Sequence, residues 1–124
     1  MKLSEAIRLG AMMGKPTIQT WMGEDGSSCA FGSVMLAHGF RDGQLMEAVA
    51  YLKMKYAILR ITVRCPVAQC EVLHDLELMI THVFHRHDDW SRERIADWIE
   101  TLEAKEEAEH ADREGNNRLA KTVA

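Results

Sequence analysis

No apolar run in the chain approaches 18 residues, so no transmembrane helix is expected. Positive charge is not in excess either. With 15 Lys and Arg against 19 Asp and Glu, the formal net charge is −4. There is then no global attraction to phosphate, and non-specific nucleic-acid binding is not favoured. Cysteine is scarce and odd in number, three in 124 residues, which argues against a disulfide framework. The opening stretch "MKLSEAIRLG" lacks the apolar core of a secretory signal. The expected setting is therefore the cytoplasm, with reduced thiols and no membrane contact. Internal repeats and low-complexity linkers are absent too. What is present, 47% hydrophobic and 27% charged residues, fits one ordinary globular domain with a modest core.

The charge is unevenly spread. Residues 41–64 carry a net +3 and residues 97–114 a net −6. Either both runs are solvated helix faces, or one end recruits a charged partner.

The hydrophobic spacing predicts a mainly α fold: a small helical domain with a short β-turn element and a long C-terminal helix. "LSEAIRLGAMMGKP" reads as a first helix, capped by Ser4 or a neighbour and stopped at Gly14 and Pro16. Thr17 to Met22 is a candidate strand, and "EDGSS" is turn chemistry. A second helix covers "CAFGSVMLAH", with Gly39 as its left-handed stop. Asp42 is placed to cap a third, with Leu45, Met46, Val49, Leu52 and Tyr56 near one face. Ile61, Thr62 and Val63 predict a short strand before Cys65. Another helix follows, with Asp75 as its cap. Ser91 caps the last, in which Ile95, Trp98, Ile99 and Leu102 form the apolar stripe. Beyond Leu102 a solvated extension is expected, ended by "GNN" at 115–117. The expected division is one domain over 1–115, with a zinc-knuckle element at about 60–88, and a flexible tail over 116–124.

One stretch points to chemistry. "CPVAQCEVLHDLELMITHVFHRH", residues 65–87, holds two of the three cysteines and four of the six histidines. Cys65, Cys70, His82 and His87 form a C-x4-C-x11-H-x4-H pattern, close to structural zinc spacing. A turn after a strand brings the cysteines together, and Pro66 stiffens it. The helix that follows offers the histidines. His82 and His87 are five apart, about 140° on an ideal helix, so the last turn must unwind for both to reach one metal. His85, three residues from His82, is the competing ligand at a tighter spacing. His74 is read as a surface or capping residue at the helix start.

The same stretch resembles a group of small, largely uncharacterised bacterial and phage-associated proteins. Those have a Cys-Pro-x-x-Cys-like knuckle, a His-x4-His helix and a "W-[ST]-R-E-x-IADW" helix. The resemblance rests on Cys65, Cys70, His82 and His87, and on Trp90, Ser91, Arg92, Glu93, Ile95, Ala96, Asp97 and Trp98. "LSEAIRLGAMM" and "SCAFGSVMLAHG" extend it over most of residues 3–100. The Cys–Cys gap is longer here, and "VFHR" stands where the others are more polar. The resemblance implies a metal-supported small fold and no activity.

Other motifs carry less. "GAMMGKPT" has three residues between its glycines where a phosphate loop needs four. Cys29 reads as a buried structural cysteine rather than a nucleophile. Four available ligands predict a closed, structural Zn2+ site, not a catalytic one. Glu71, Asp75, Asp88 and Asp89 are not placed by spacing to act as a base. The expected function is a non-enzymatic interaction module with a protein partner. The alternative is a nucleic-acid-binding regulator using Lys53, Lys55, Arg60, Arg64, Arg86, Arg92 and Arg94. Against that alternative, Arg86, Arg92 and Arg94 have Glu93, Asp88 and Asp89 close in sequence to offset them.

Overall fold

A computed structural model describes residues 1–17, 21–23, 25–87 and 89–123, with side chains through residue 115. Half of the expected strand over Thr17–Met22, residues 18–20, falls outside these residues. Pro16, just before it, and Met22, at its end, each form a bridge with Ser28. The described residues form five α-helices and one two-stranded sheet: α1 (Leu3–Ala11), α2 (Ala30–Ala37), α3 (Leu45–Lys55), a 3-10 turn (Ala57–Arg60), β1 (Thr62–Arg64), β2 (Leu73–Asp75), α4 (Leu76–Arg86) and α5 (Arg92–Val123). The fold is thus mainly helical with a long C-terminal helix. No described helix is long and apolar enough to cross a membrane.

The core is built by faces of all five helices. Leu3, Ala6 and Ile7 of α1 meet Phe31, Val34 and Met35 of α2, then Leu76, Met79, Ile80 and Val83 of α4 and Ile95 and Ile99 of α5. The approach of α1 to α2 is set by Gly10. A Cβ there would stand 1.7 Å from the Ser33 carbonyl oxygen, so only a hydrogen fits between the backbones. Gly39 ends α2 as expected, at φ +85°. The Gly39 N–H donates to Leu36 O and the Phe40 N–H to Met35 O, the paired bonds of a Schellman stop.

Several boundaries differ from the sequence reading, each for a packing reason. The N-cap of α1 is Lys2, not Ser4. Leu3 is fully buried, which draws the helix start forward. Ser4 is buried in the first turn instead, and its hydroxyl donates to the buried Glu103 carboxylate of α5. The solvated extension of α5 therefore begins after Glu103, with residues from Ala104 to Gly115 exposed or half-buried. Gly115, Asn116 and Asn117 do not end α5, which runs to Val123. A single glycine is tolerated inside a helix at about 1 kcal/mol relative to alanine. The N-cap of α3 is Gln44 rather than Asp42. Its inward stripe is Leu45, Ala48, Val49 and Leu52, an i, i+3, i+4, i+7 pattern that turns Met46 outward, 88% exposed. Asp75 and Ser91 stand where expected, before α4 and α5. The Ser91 hydroxyl accepts from the Arg94 N–H at 3.1 Å.

Two arginines tie the helices together. Arg8 on α1 faces Asp97 at 2.7 Å, Glu100 at 3.3 Å and Glu93 at 3.4 Å, one acidic stripe of α5. The other, Arg92, turns inward. Its Nη1 donates to the Ser28 and Ser33 hydroxyls and its Nη2 to the Gly14 carbonyl, closing the loop after α1 onto α2. The expected offset of Arg92 by Glu93 is therefore not found: Arg8 takes that carboxylate, because α1 packs Arg8 against the face of α5 that carries Glu93, Asp97 and Glu100. Arg94 stacks over the Trp90 ring at 4.2 Å and, among the described residues, donates from its side chain to the Asp89 backbone carbonyl. Asp88 lies outside the described residues.

Candidate metal centre

The hairpin that builds the site was half visible in the sequence. β1 is the expected strand, whereas β2 is unexpected and takes in His74, read from the sequence as a residue at the helix start. The two strands pair antiparallel, Thr62 with Asp75, Val63 with His74 and Arg64 with Leu73. The Cys65 N–H donates to Val72 O at 3.0 Å, adding one more rung. The chain between Cys65 and Cys70 then folds as a turn, closed by the Cys70 N–H on Val67 O at 3.1 Å. Gln69 takes φ +70° to complete it, an uncommon conformation for a residue with a side chain. Alternation along a strand puts Val63 and Cys65 on one face, and both are buried.

Helix α4 returns across this turn and carries His82 on its second turn. The helix ends at Arg86. His87, at φ −126° and ψ 101°, is already extended, while its N–H still donates to Val83 O. That unwinding removes the 140° separation an intact helix would impose. The imidazoles of His82 and His87 then lie 5.2 Å apart between ring centres.

The result is one cluster. One ligand atom from each of Cys65, Cys70, His82 and His87 lies within 4.8 Å of the others. His87 Nε2 stands 3.5 Å from Cys65 Sγ, and His82 Nε2 stands 3.6 Å from Cys70 Sγ. A tetrahedral zinc with Zn–S near 2.3 Å and Zn–N near 2.05 Å has S···N edges of about 3.6 Å. Both observed S···N separations match that edge. The facing atom of each imidazole is Nε2, leaving Nδ1 for an outer hydrogen bond. Four Cys and His side chains are thus positioned to hold a metal ion.

The protonation states follow from the surroundings. Burial pushes the His82 pKa below the ordinary histidine range, with His87 and His74 adding to the effect. His82 therefore keeps its nitrogen lone pair. Burial pushes the Cys65 thiol up, the backbone at Val67 counteracts, and the neighbouring Cys70 raises it further. Two adjacent thiols resist ionising together, and a dication between them removes that resistance.

His85 is not part of the cluster. It follows the helix surface and meets Phe84 edge-on at 5.5 Å. His74 is not at the start of α4. It sits on β2, opposite Val63, with its ring 6.0 Å from that of His82. The signal for this was the β-branched Val72 after a chain reversal, which favours a returning strand. Cys29 is fully buried and caps α2, its sulfur accepting from the Gly32 N–H at 3.3 Å. Burial raises its thiol pKa, consistent with a structural role.

No family model, no curated protein and no solved structure matches the chain.

Proposed function

We propose that the chain is a small zinc-stabilised interaction module without catalytic activity, which binds a protein partner as an accessory regulator of bacterial or phage type. The observation that carries the reading is the pair of S···N separations, 3.5 and 3.6 Å, at the edge length of a zinc tetrahedron. Two thiolates and two imidazoles suit Zn2+ better than a hard cation such as Mg2+. Four protein ligands would fill the tetrahedron and leave no open position for water or substrate, which favours a structural metal. Bound there, zinc would fasten the β1–β2 turn to the end of α4, and so fix where α5 begins.

A protein partner is favoured by the outer face of α3. Met46 and Met54 are 88% and 85% exposed, and Tyr51 is 46% exposed. Beside them lies a shallow groove of about 400 Å³, lined by Trp21, Leu45, Met46, Val49, Ala50 and Lys53. Flexible methionines on a surface adapt to a partner's shape. The nucleic-acid reading loses support at the same time. Arg92 is turned inward, and Arg64 has Glu71 at 3.9 Å.

The decisive experiment is metal analysis with thermal melting. Purified protein should hold about one zinc per chain, as one four-ligand site requires, and chelation should lower its Tm. A metal-free preparation with an unchanged Tm would sink the zinc reading. A gel shift at low salt tests the rest, because tight binding to duplex or single strands that weakens steeply with salt would replace the protein partner by nucleic acid.

A further inference from the structure

Arg92 has five N–H donors and makes three hydrogen bonds, to Ser28 at 3.1 Å, Ser33 at 3.4 Å and Gly14 O at 2.9 Å. All three acceptors are neutral. Among the described residues no carboxylate pairs with it, and Glu93, its neighbour in sequence, is drawn off by Arg8 at 3.4 Å. The guanidinium is half-buried, and that burial lowers its pKa. Among the described residues it is therefore a partly desolvated cation without a counter-ion, and two of its N–H groups are unengaged by them.

It also lines a cavity of about 460 Å³, within the size range of small-molecule sites. Pro16, Phe84 and Trp90 supply apolar and aromatic wall, and Ser91 stands beside Arg92. A cavity with apolar and aromatic wall and one forked cation is the complement of a small aromatic anion. We propose that this cavity binds a small aromatic carboxylate, whose carboxylate group accepts from the unengaged N–H groups of Arg92 while its ring lies among Pro16, Phe84 and Trp90. A monoanion suits the site better than a phosphate dianion, because Glu93 also lines the cavity. The site is separate from the Cys and His cluster and does not depend on the zinc reading.

The test uses the full chain as purified and follows the Trp90 indole N–H by NMR, identified by its loss in Trp90→Phe. Benzoate is the probe, and benzamide is its neutral isostere. Benzoate should shift the Trp90 signal saturably, and benzamide should bind at least about tenfold more weakly, since a charge-assisted bidentate contact is lost. Arg92→Lys keeps the charge but not the fork, and a folded variant should lose at least about tenfold in benzoate affinity. If that variant does not fold, the benzoate and benzamide comparison on the unaltered chain still decides. No saturable shift with benzoate, equal binding of benzamide, or full benzoate affinity in folded Arg92→Lys would each overturn the proposal.

Discussion

His87 Nε2 lies 3.5 Å from Cys65 Sγ although the two residues are 22 apart in sequence. The contact exists because α4 stops one residue short of His87 and the hairpin holds Cys65 beneath it. On a continued helix His87 would point about 140° away from His82, and His85 would be the nearer histidine.

That difference is measurable. His87→Ala should weaken zinc binding by more than the roughly 10–100-fold that loss of an outer-shell partner costs. His85→Ala should leave zinc affinity almost unchanged, because His85 faces Phe84. Competition with a chromophoric chelator reads both. Equal losses would show that α4 stays helical through His87 in solution.

The buried pair of Ser4 and Glu103 should appear in a double-mutant cycle. Both side chains are buried, and the Ser4 hydroxyl donates to the carboxylate. Ser4→Ala leaves a buried acceptor short of its donor, at a cost of about 1–3 kcal/mol. Adding Glu103→Leu removes the unsatisfied group and should restore part of that loss. Urea denaturation of the two single variants and the double variant checks it, and strictly additive effects would show that the pair is not coupled.

Gly10→Ala should be among the most damaging small substitutions in the chain. The new methyl group would meet Ser33 backbone atoms at 1.7 to 2.7 Å, and backbone cannot swing aside as a side chain can. A loss at or above the usual 1–3 kcal/mol of overpacking is expected. The exposed Gly115 has nothing within 4 Å of its Cβ position, so Gly115→Ala should be neutral or slightly stabilising. Thermal melts of the two variants compare them directly.

His38 should give the chain an acid-sensitive component away from the cluster. Its Nε2 and the Tyr56 hydroxyl are 2.7 Å apart. Burial pushes its pKa below the ordinary 6.5, and Lys55 adds to this. The unfolded chain then takes up the proton first as pH falls. The contribution of His38 is complete above pH 6.5 and is lost as the pH drops through the lower folded value. His38→Gln should therefore flatten the decline of stability between about pH 7 and pH 5. Parallel declines in the two proteins would exclude His38 as the source.

The sequence by itself determined what depends on local chemistry. The Schellman stop at Gly39, the Ser91 cap and the stripe of Ile95, Trp98, Ile99 and Leu102 act over four or five residues, so spacing exposes them. The two Cys and two His that the fold gathers were legible for the same reason, since their intervals fit a turn followed by a helix. Tertiary structure decided what depends on partners far along the chain. Ser4 could read as a cap until Glu103, 99 residues away, supplied a buried acceptor. Arg92 could read as a surface charge until Ser28, Ser33 and Gly14 drew it inward. β2 could read as the lead-in to α4 until β1 offered its unpaired backbone groups. In each case a buried polar group had to find its partner, and local spacing does not reveal which distant one it will be.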